Sequence, residues 1–173
     1  MNLKLRHADL KDVGILKRWD KKDHVIASSG NDDFYDWEEE VTRNVPWQQI
    51  LIAEIDDRPI GVIVIIDPKE EETHYWGGIE NNLKALDIWI GEASDLSKGY
   101  GTEMMKQALN ECFRNENVKA VIVDPLIDNT LAHKFYEKLG FKRIEKRKFG
   151  NDECFVYKID RNIFVNRLAK VTS

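Results

Sequence analysis

The chain has 173 residues, of which 42% are hydrophobic and 33% charged, and its formal net charge is −5. That length and hydrophobic content suffice for a single compact domain over residues 1–173. The acidic balance excludes nucleic-acid binding of the kind that relies on clustered lysine and arginine, and it favours a small cationic partner.

Membrane association, secretion and metal binding are also not expected. The longest apolar stretch, residues 60–66, is too short to cross a bilayer, and the first residues lack the apolar run of a secretory signal. Cys112 and Cys154 are too few for a disulfide framework and suit a reducing cytoplasm, where both would be small buried hydrophobes. No metal-ligand spacing occurs among the four histidines, His7, His24, His74 and His133.

The first half of the chain predicts a strand, two helices and a hairpin. Leu3 and Leu5 begin the strand, and Asp9 caps a helix with apolar residues at helical spacing, namely Leu10, Val13, Leu16 and Trp19. An acidic helix is predicted over residues 33–45, with an apolar stripe formed by Phe34, Trp37 and Val41. Residues 49–55 and 60–66 are rich in isoleucine and valine and flank a turn, which predicts an antiparallel hairpin.

A long connection over residues 67–84 follows, and its length indicates a functional loop as readily as a solvated one anchored by aromatic residues. The remaining segments alternate strand and helix. They are a strand over 85–91, a loop over 92–98, a helix over 99–114, a strand over 118–123, a helix over 129–139 that Gly140 terminates, and a closing hairpin of 141–149 with 153–159. The residues after Asp160 form a short helical or frayed tail.

The strongest functional signal is the segment from Leu96 to Thr102, which lies between a predicted strand and an amphipathic helix. Gly99 and Gly101 let the backbone pass close to a ligand, and the uncapped amides of the first helical turn favour an anion such as a pyrophosphate. A tight strand-to-helix turn is the simpler explanation of two glycines alone. The Walker ending and the Gly-x-Gly-x-x-Gly pattern do not occur in this sequence, which disfavours kinase and Rossmann functions.

Two motifs together are more specific. Residues 96–102 match Gln/Arg-x-x-Gly-x-Gly/Ala except at Leu96, and residues 129–141 match Asn-x-x-Ala-x-x-Phe/Cys-Tyr-Glu-Lys-x-Gly-Phe. Over nearly its full length the chain therefore resembles the GNAT superfamily of N-acetyltransferases. It is most similar to the aminoglycoside 6'-N-acetyltransferases, through Leu86-Asp87, the run from Ala93 to Thr102, Asp124-Pro125 and Tyr136-Glu137-Lys138. Siderophore-type hydroxylysine acyltransferases share much of this pattern.

The resemblance implies an α/β (α+β) fold with a mixed, mostly antiparallel, splayed central sheet flanked by helices, and it implies acetyl-CoA as co-substrate. The pyrophosphate would bind the backbone amides of Lys98, Gly99, Tyr100, Gly101 and Thr102. The pantetheine arm would pair with the backbone of Ile88, Trp89 and Ile90. Asn129 would cap its helix and also reach the cofactor arm.

Amide formation from a thioester requires that the attacking amine lose a proton and that the departing thiolate receive one. Asp87 lies among apolar strand residues, where burial would raise its pKa, and it matches the base proposed for the aminoglycoside enzymes. Alternatively, it accepts backbone hydrogen bonds or faces solvent. Tyr136 would be the acid by resemblance, and otherwise a core residue. Neither cysteine has an activating partner in sequence, so direct transfer is expected.

Several carboxylates could line a cleft for a polyamine or an aminosugar, although solvated acidic faces are the commoner explanation. They are Asp32, Asp33, Asp36, Glu38, Glu70, Glu71, Glu72 and Asp152, with Asp33, Glu72 and Asp152 as leading candidates. The aminoglycoside enzymes carry a tryptophan-rich segment after their first helix, where this chain has Ala27-Ser28-Ser29-Gly30. A stacking surface for sugars is therefore expected to be missing.

We therefore predict a cytoplasmic N-acetyltransferase, active as a monomer or homodimer. Its acceptor would be a primary amine of an aminoglycoside-like polyamine, which connects the chain with antibiotic resistance. One alternative is acylation of another amine, such as a siderophore hydroxylysine, an amino acid or a protein N-terminus. Another is a CoA-binding sensor without turnover.

Overall fold

The computed structural model describes residues 2–30 and 35–171, with backbone only for residues 168–171. The strands are β1 (Leu3–His7), β2 (Gln48–Ile55), β3 (Arg58–Ile66), β4 (Leu83–Ile90), β5 (Ala120–Val123), β6 (Lys142–Phe149) and β7 (Asp152–Asp160). The helices are α1 (Val13–Trp19), α2 (Asp23–Ser29), α3 (Trp37–Thr42), α4 (Tyr100–Arg114), α5 (Thr130–Leu139) and α6 (Arg161–Val171). Short 3₁₀ turns occupy Leu10–Asp12 and Ala93–Asp95.

The strands form a seven-stranded sheet in the order β1-β2-β3-β4-β5-β7-β6. β1 pairs antiparallel with β2, and β7 pairs antiparallel with both β5 and β6, whereas β4 and β5 run parallel. The predicted mixed, mostly antiparallel sheet flanked by helices is therefore confirmed.

The chain forms two compact units, each built from two segments. The first unit contains Met1–Ile65 and Asp87–Ala108, and the second contains Ile66–Leu86 and Leu109–Ser173. A single domain over residues 1–173 stays a prediction.

In the first unit, the predicted cap at Asp9 is confirmed. Its side chain accepts a hydrogen bond from the Lys11 amide at 2.8 Å, and Asp12 reciprocates by accepting from the Asp9 amide at 2.9 Å. The helix itself begins one turn later than predicted, because the capped turn is 3₁₀ and only Val13 starts the α-helical register. Leu10 is consequently 63% exposed rather than part of the apolar stripe, while Leu16 and Trp19 are fully buried.

The acidic helix α3 is shorter than predicted. Asp36 caps it, accepting from the Glu39 amide at 3.3 Å, and the extended ψ of 135° at Arg43 ends it before Val45. The predicted start at Asp33, together with Phe34, lies outside the described residues. Helix α2 was not predicted, because it buries only Val25 and leaves Ile26 47% exposed, so it lacks a clear apolar stripe.

The second unit has its own apolar core beneath the 67–82 connection. Trp76 and Phe149 pack there with residues from three strands, namely Leu83, Ala85, Ala120, Ile122, Cys154 and Val156. Asn129 caps α5 and Gly140, with a φ of 100°, ends it, as predicted. The predicted tail is the regular helix α6, which docks through Arg161 onto the carbonyls of Phe113 and Val118 at 2.9 and 2.8 Å.

No helix within residues 2–30 and 35–171 combines the length and the apolar character needed to cross a membrane.

We predict that Gly91→Ala destabilises the first unit. A Cβ at this position would lie 1.9 Å from the indole of Trp19, which is fully buried and cannot turn away. Overpacking of this kind costs about 1–3 kcal/mol, which thermal unfolding would register as a lower Tm. Gly78→Ala is the matched control, since no atom lies within 4 Å of its added methyl group. Equal Tm values for the two variants would contradict the prediction.

Candidate active site

The glycine-containing loop adopts a strained backbone just before helix α4. Ser97 and Gly99 both have positive φ, 60° and 83°, shortly before α4 begins at Tyr100. The Glu103 amide donates to the Gly99 carbonyl at 3.2 Å and closes the first turn. The earlier amides, from Tyr100 to Thr102, have no intrahelical acceptor, and with the helix dipole they favour an anion.

A buried carboxylate holds this loop in place. Asp95 is 2% exposed, and its two oxygens accept hydrogen bonds from Arg58 at 2.7 and 3.0 Å, while the Lys98 amine lies 3.4 Å away. The hydrogen bond from Arg58 is the main cause that lowers the pKa of Asp95. The side chains of Arg58 and Lys98 remain about half exposed, at 53% and 50%. Besides the amides of the loop, Lys98 of the loop and Arg58 of β3 therefore keep part of their cationic side chains exposed.

Sequence reasoning missed the pair of Arg58 and Asp95. The two residues are 37 positions apart, and neither belongs to a recognisable motif. A carboxylate directly before the segment Leu96 to Thr102 was the available signal, but its partner on β3 could be identified only from the fold.

Asp87, the predicted base, is half-buried on β4. Its Oδ2 accepts a hydrogen bond from the Tyr35 hydroxyl at 2.6 Å. Burial raises the pKa of Asp87, and the hydrogen bond from Tyr35 opposes that rise by stabilising the carboxylate form. The position and the direction of the pKa are those expected of a general base, whereas the role itself stays a prediction.

Tyr35, the hydrogen-bond partner of Asp87, packs among other aromatic rings. We call Tyr35, Trp37 and Trp89 the aromatic cluster: ring centroids lie 4.9 Å apart for Tyr35–Trp37, 5.9 Å for Trp37–Trp89 and 6.5 Å for Tyr35–Trp89. Trp37 is fully buried and its indole N–H donates to Asp20 Oδ2 at 2.6 Å. Residues 27–30 contain no aromatic residue. The rings of the cluster come instead from α3, from the residues before it and from β4.

Hydrogen bonds to its backbone groups hold the end of β4 to α2 and β3. The Ile90 carbonyl accepts from His24 Nε2 at 2.8 Å, and the Gly91 amide donates to the Ile60 carbonyl at 2.9 Å. Gly61 allows β3 to approach β4 closely, since a Cβ there would be 2.6 Å from the Trp89 carbonyl oxygen. Pairing of a cofactor arm with residues 88–90 stays a prediction, with the Ile90 carbonyl already engaged by His24.

Two predicted residues belong to the second unit. The Asn129 side chain accepts from the Ala132 amide at 3.1 Å, which confirms its capping role. Tyr136 is 8% exposed, and its ring packs at 5.4 Å from Phe141 and 6.1 Å from Tyr157. The ring of Tyr136 is thus a core element, and an acid role for its hydroxyl stays a prediction.

The candidate acceptor carboxylates differ in their surroundings. Glu72 is exposed, Asp152 is 8% exposed at the start of β7, and Asp33, like Asp32, lies outside the described residues. Glu71 is structural, because its carboxylate accepts from the amides of Thr73 and Tyr75 at 2.7 and 3.1 Å and orders the 67–82 connection. Binding by Asp33, Glu72 or Asp152 stays a prediction.

The cysteines offer no reactive thiolate. Burial raises the pKa of the Cys112 thiol to about 12, and Cys154 is 3% exposed. Among the described residues, no group of three or more histidine, cysteine, aspartate or glutamate side chains could hold a metal ion.

The positive-φ loop before α4 suits an anion, and the desolvated carboxylate on the preceding strand suits a base, which together fit an acyltransferase with a phosphorylated cofactor. Residues 9–149 match the acetyltransferase (GNAT) domain model. The chain therefore belongs to the GNAT acetyltransferase family, and acetyl-CoA is its co-substrate.

The relatives include an aminoglycoside N(6')-acetyltransferase type 1 of Klebsiella pneumoniae, 25% identical over 140 residues, which cover 76% of this chain and 70% of that protein. A kanamycin resistance protein of Rhizobium radiobacter is 32% identical over 74 residues, 43% of this chain and 63% of that protein. The aminoglycoside acetyltransferase AAC(6')-Ib, solved with coenzyme A and kanamycin, has a TM-score of 0.84 at 22% identity, with 95% of this chain and 98% of that chain covered.

We predict that Asp95→Asn weakens the fold at neutral pH but not in acid. The folded pKa of Asp95 is lowered, so its contribution to stability is present above the unfolded pKa and is lost as pH falls through the folded pKa. At pH 7 the variant should lose about 1 kcal/mol, or roughly 2–4 °C in Tm. Thermal melts from pH 7 to pH 3 should converge for variant and wild type. A constant difference across that range would contradict the prediction.

Proposed function

We propose that the protein transfers the acetyl group of acetyl-CoA directly to a primary amine of an aminoglycoside-like polyamine. The observation that carries this proposal is the Asp87 carboxylate, which is desolvated on β4, has a raised pKa and accepts a hydrogen bond from the Tyr35 hydroxyl. A carboxylate in that state can take a proton from an ammonium group and then return to its charged form.

The cofactor would be held mainly by main-chain groups. The amides from Lys98 to Thr102, at the start of α4, are proposed to bind the pyrophosphate, with Lys98 adding a positive charge. The backbone of Ile88, Trp89 and Ile90 would pair with the pantetheine arm in the manner of an added strand, and Asn129 would contact the arm. Backbone recognition explains why Leu96 can replace the usual glutamine or arginine.

The chemistry requires that the acceptor nitrogen lose protons and that the thiolate gain one. The ammonium group of the acceptor gives a proton to Asp87, directly or through a water, and the neutral nitrogen attacks the thioester carbonyl. As the C–S bond breaks, Tyr136 donates a proton to the departing thiolate. The nitrogen releases its second proton, which returns through solvent to the Tyr136 phenolate, and Asp87 gives its proton to water, so that an amide and CoA remain. Direct transfer is supported by the high pKa of Cys112, which makes a cysteinyl acyl-enzyme unfavourable at neutral pH.

The acceptor class rests on charge and on the named relatives. The chain has a net charge of −5, and exposed Glu72 with Asp33 and Asp152 would supply counter-charges for ammonium groups. Within the aromatic cluster, the half-buried rings of Tyr35 and Trp89 would offer faces that attract a cation or cover a sugar. The relatives named for aminoglycoside acetylation and kanamycin resistance favour the same class.

We predict that Asp87→Asn lowers kcat by about a hundredfold and that Tyr136→Phe lowers it by about tenfold. Both substitutions keep the size of the side chain, so CoA affinity measured by calorimetry should stay nearly unchanged. Steady-state kinetics against pH would separate the roles: the acidic limb should disappear in Asp87→Asn and persist in Tyr136→Phe. Wild-type turnover in Asp87→Asn would remove this residue from the mechanism.

A panel of amines decides the acceptor. Thiol release from acetyl-CoA should be fastest with kanamycin-like aminoglycosides and slower with spermidine, a hydroxylysine, free amino acids and an N-terminal peptide. Preference for a hydroxylysine or a peptide would reassign the substrate while keeping the transferase. CoA binding without amine-dependent release from any member would instead indicate a sensor.

A further inference from the structure

Tyr35 makes a contact with the proposed base that nothing in the sequence pattern indicated. Its hydroxyl donates to Asp87 Oδ2 at 2.6 Å, across 52 positions of sequence. Within residues 2–30 and 35–171, no other group hydrogen-bonds to the Asp87 carboxylate. Oδ2 is therefore occupied by Tyr35, while Oδ1 can accept a proton.

The ring of Tyr35 is held by the aromatic cluster. It lies 4.9 Å from Trp37 and is stacked at 16° with Trp89, centroid to centroid 6.5 Å. Trp37 is itself fixed, because it is fully buried and donates to Asp20 at 2.6 Å. Packing thus holds the ring whose hydroxyl donates to Asp87.

We propose that Tyr35 is a positioning residue for Asp87, whose hydroxyl orients the carboxylate and keeps it ionised in a desolvated position. The proposal rests on the assignment of Asp87 as base. A hydrogen bond to the charged form of an acid favours that form, so the hydroxyl opposes the effect of burial on Asp87. Among the described residues, two further titratable groups bond to members or neighbours of the cluster: Asp20 accepts from the Trp37 indole, and His24 bonds to the Ile90 carbonyl.

The test uses Tyr35→Phe, which removes the hydroxyl and keeps the ring in the cluster. Without the hydrogen bond the carboxylate protonates more easily, so the acidic limb of kcat/KM for the amine should move to higher pH by about one unit. At neutral pH, kcat/KM should fall by about tenfold, while CoA affinity stays unchanged. Tyr75→Phe is the matched control, since that hydroxyl donates to the Asp124 carboxylate at 2.7 Å in the second unit.

A double-mutant cycle separates positioning from simple packing. If Tyr35 acts through Asp87, Tyr35→Phe should cause no further loss in the Asp87→Asn background. Losses that multiply, together with an unmoved acidic limb, would overturn the role of Tyr35 while leaving Asp87 as base. Full activity of Asp87→Asn would instead reject the base assignment, and the role of Tyr35 with it. The same shift of the limb in Tyr75→Phe would also overturn the proposal.

Discussion

The structure depends on how one carboxylate is accommodated on an apolar strand. Asp87 follows Leu86, which is 3% exposed, and precedes Ile88, and the surrounding protein removes much of the water that would stabilise its charge. Such desolvation is unfavourable unless the charge finds a partner. Among the described residues its partner is the neutral phenol of Tyr35, which stabilises the carboxylate form only in part, so the pKa of Asp87 stays raised. A salt bridge in the same place would have lowered its pKa and weakened it as a base.

The pKa of Asp95 is shifted in the opposite direction. That carboxylate is buried too, but it faces the guanidinium of Arg58 in a two-point contact and lies near Lys98. Its pKa is lowered, so it remains charged and holds a loop in which Ser97 and Gly99 have positive φ. The pKa values of two aspartates eight residues apart are therefore shifted in opposite directions, because Arg58 faces Asp95 whereas, among the described residues, a neutral phenol faces Asp87.

Aromatic residues cluster in both units with different consequences. In the first unit, Tyr35 bonds to the Asp87 carboxylate and packs with Trp37 and Trp89. In the second unit, Tyr75 and Phe149 stack at 4.4 Å above Trp76, with the Arg147 guanidinium 5.7 Å from Phe149, and fasten the 67–82 connection to the sheet. The rings of the first unit lie beside a candidate reaction centre, whereas those of the second unit anchor a long connection.

The sequence by itself determined the features that depend on neighbours a few residues apart. Asp9 and Asn129 as caps, Gly140 as a helix end, the strand-to-helix placement of Gly99 and the closing hairpin all follow from local hydrogen bonding and from side-chain periodicity. Helix α2 was not predicted because its apolar stripe is weak. The start of α1 was predicted too early because a 3₁₀ turn precedes the helix. Only the tertiary structure decided which groups meet Asp87 and Asp95, since Tyr35 and Arg58 are 52 and 37 positions away. Contacts at that separation are set by the pairing of strands and the packing of rings, which no local pattern encodes.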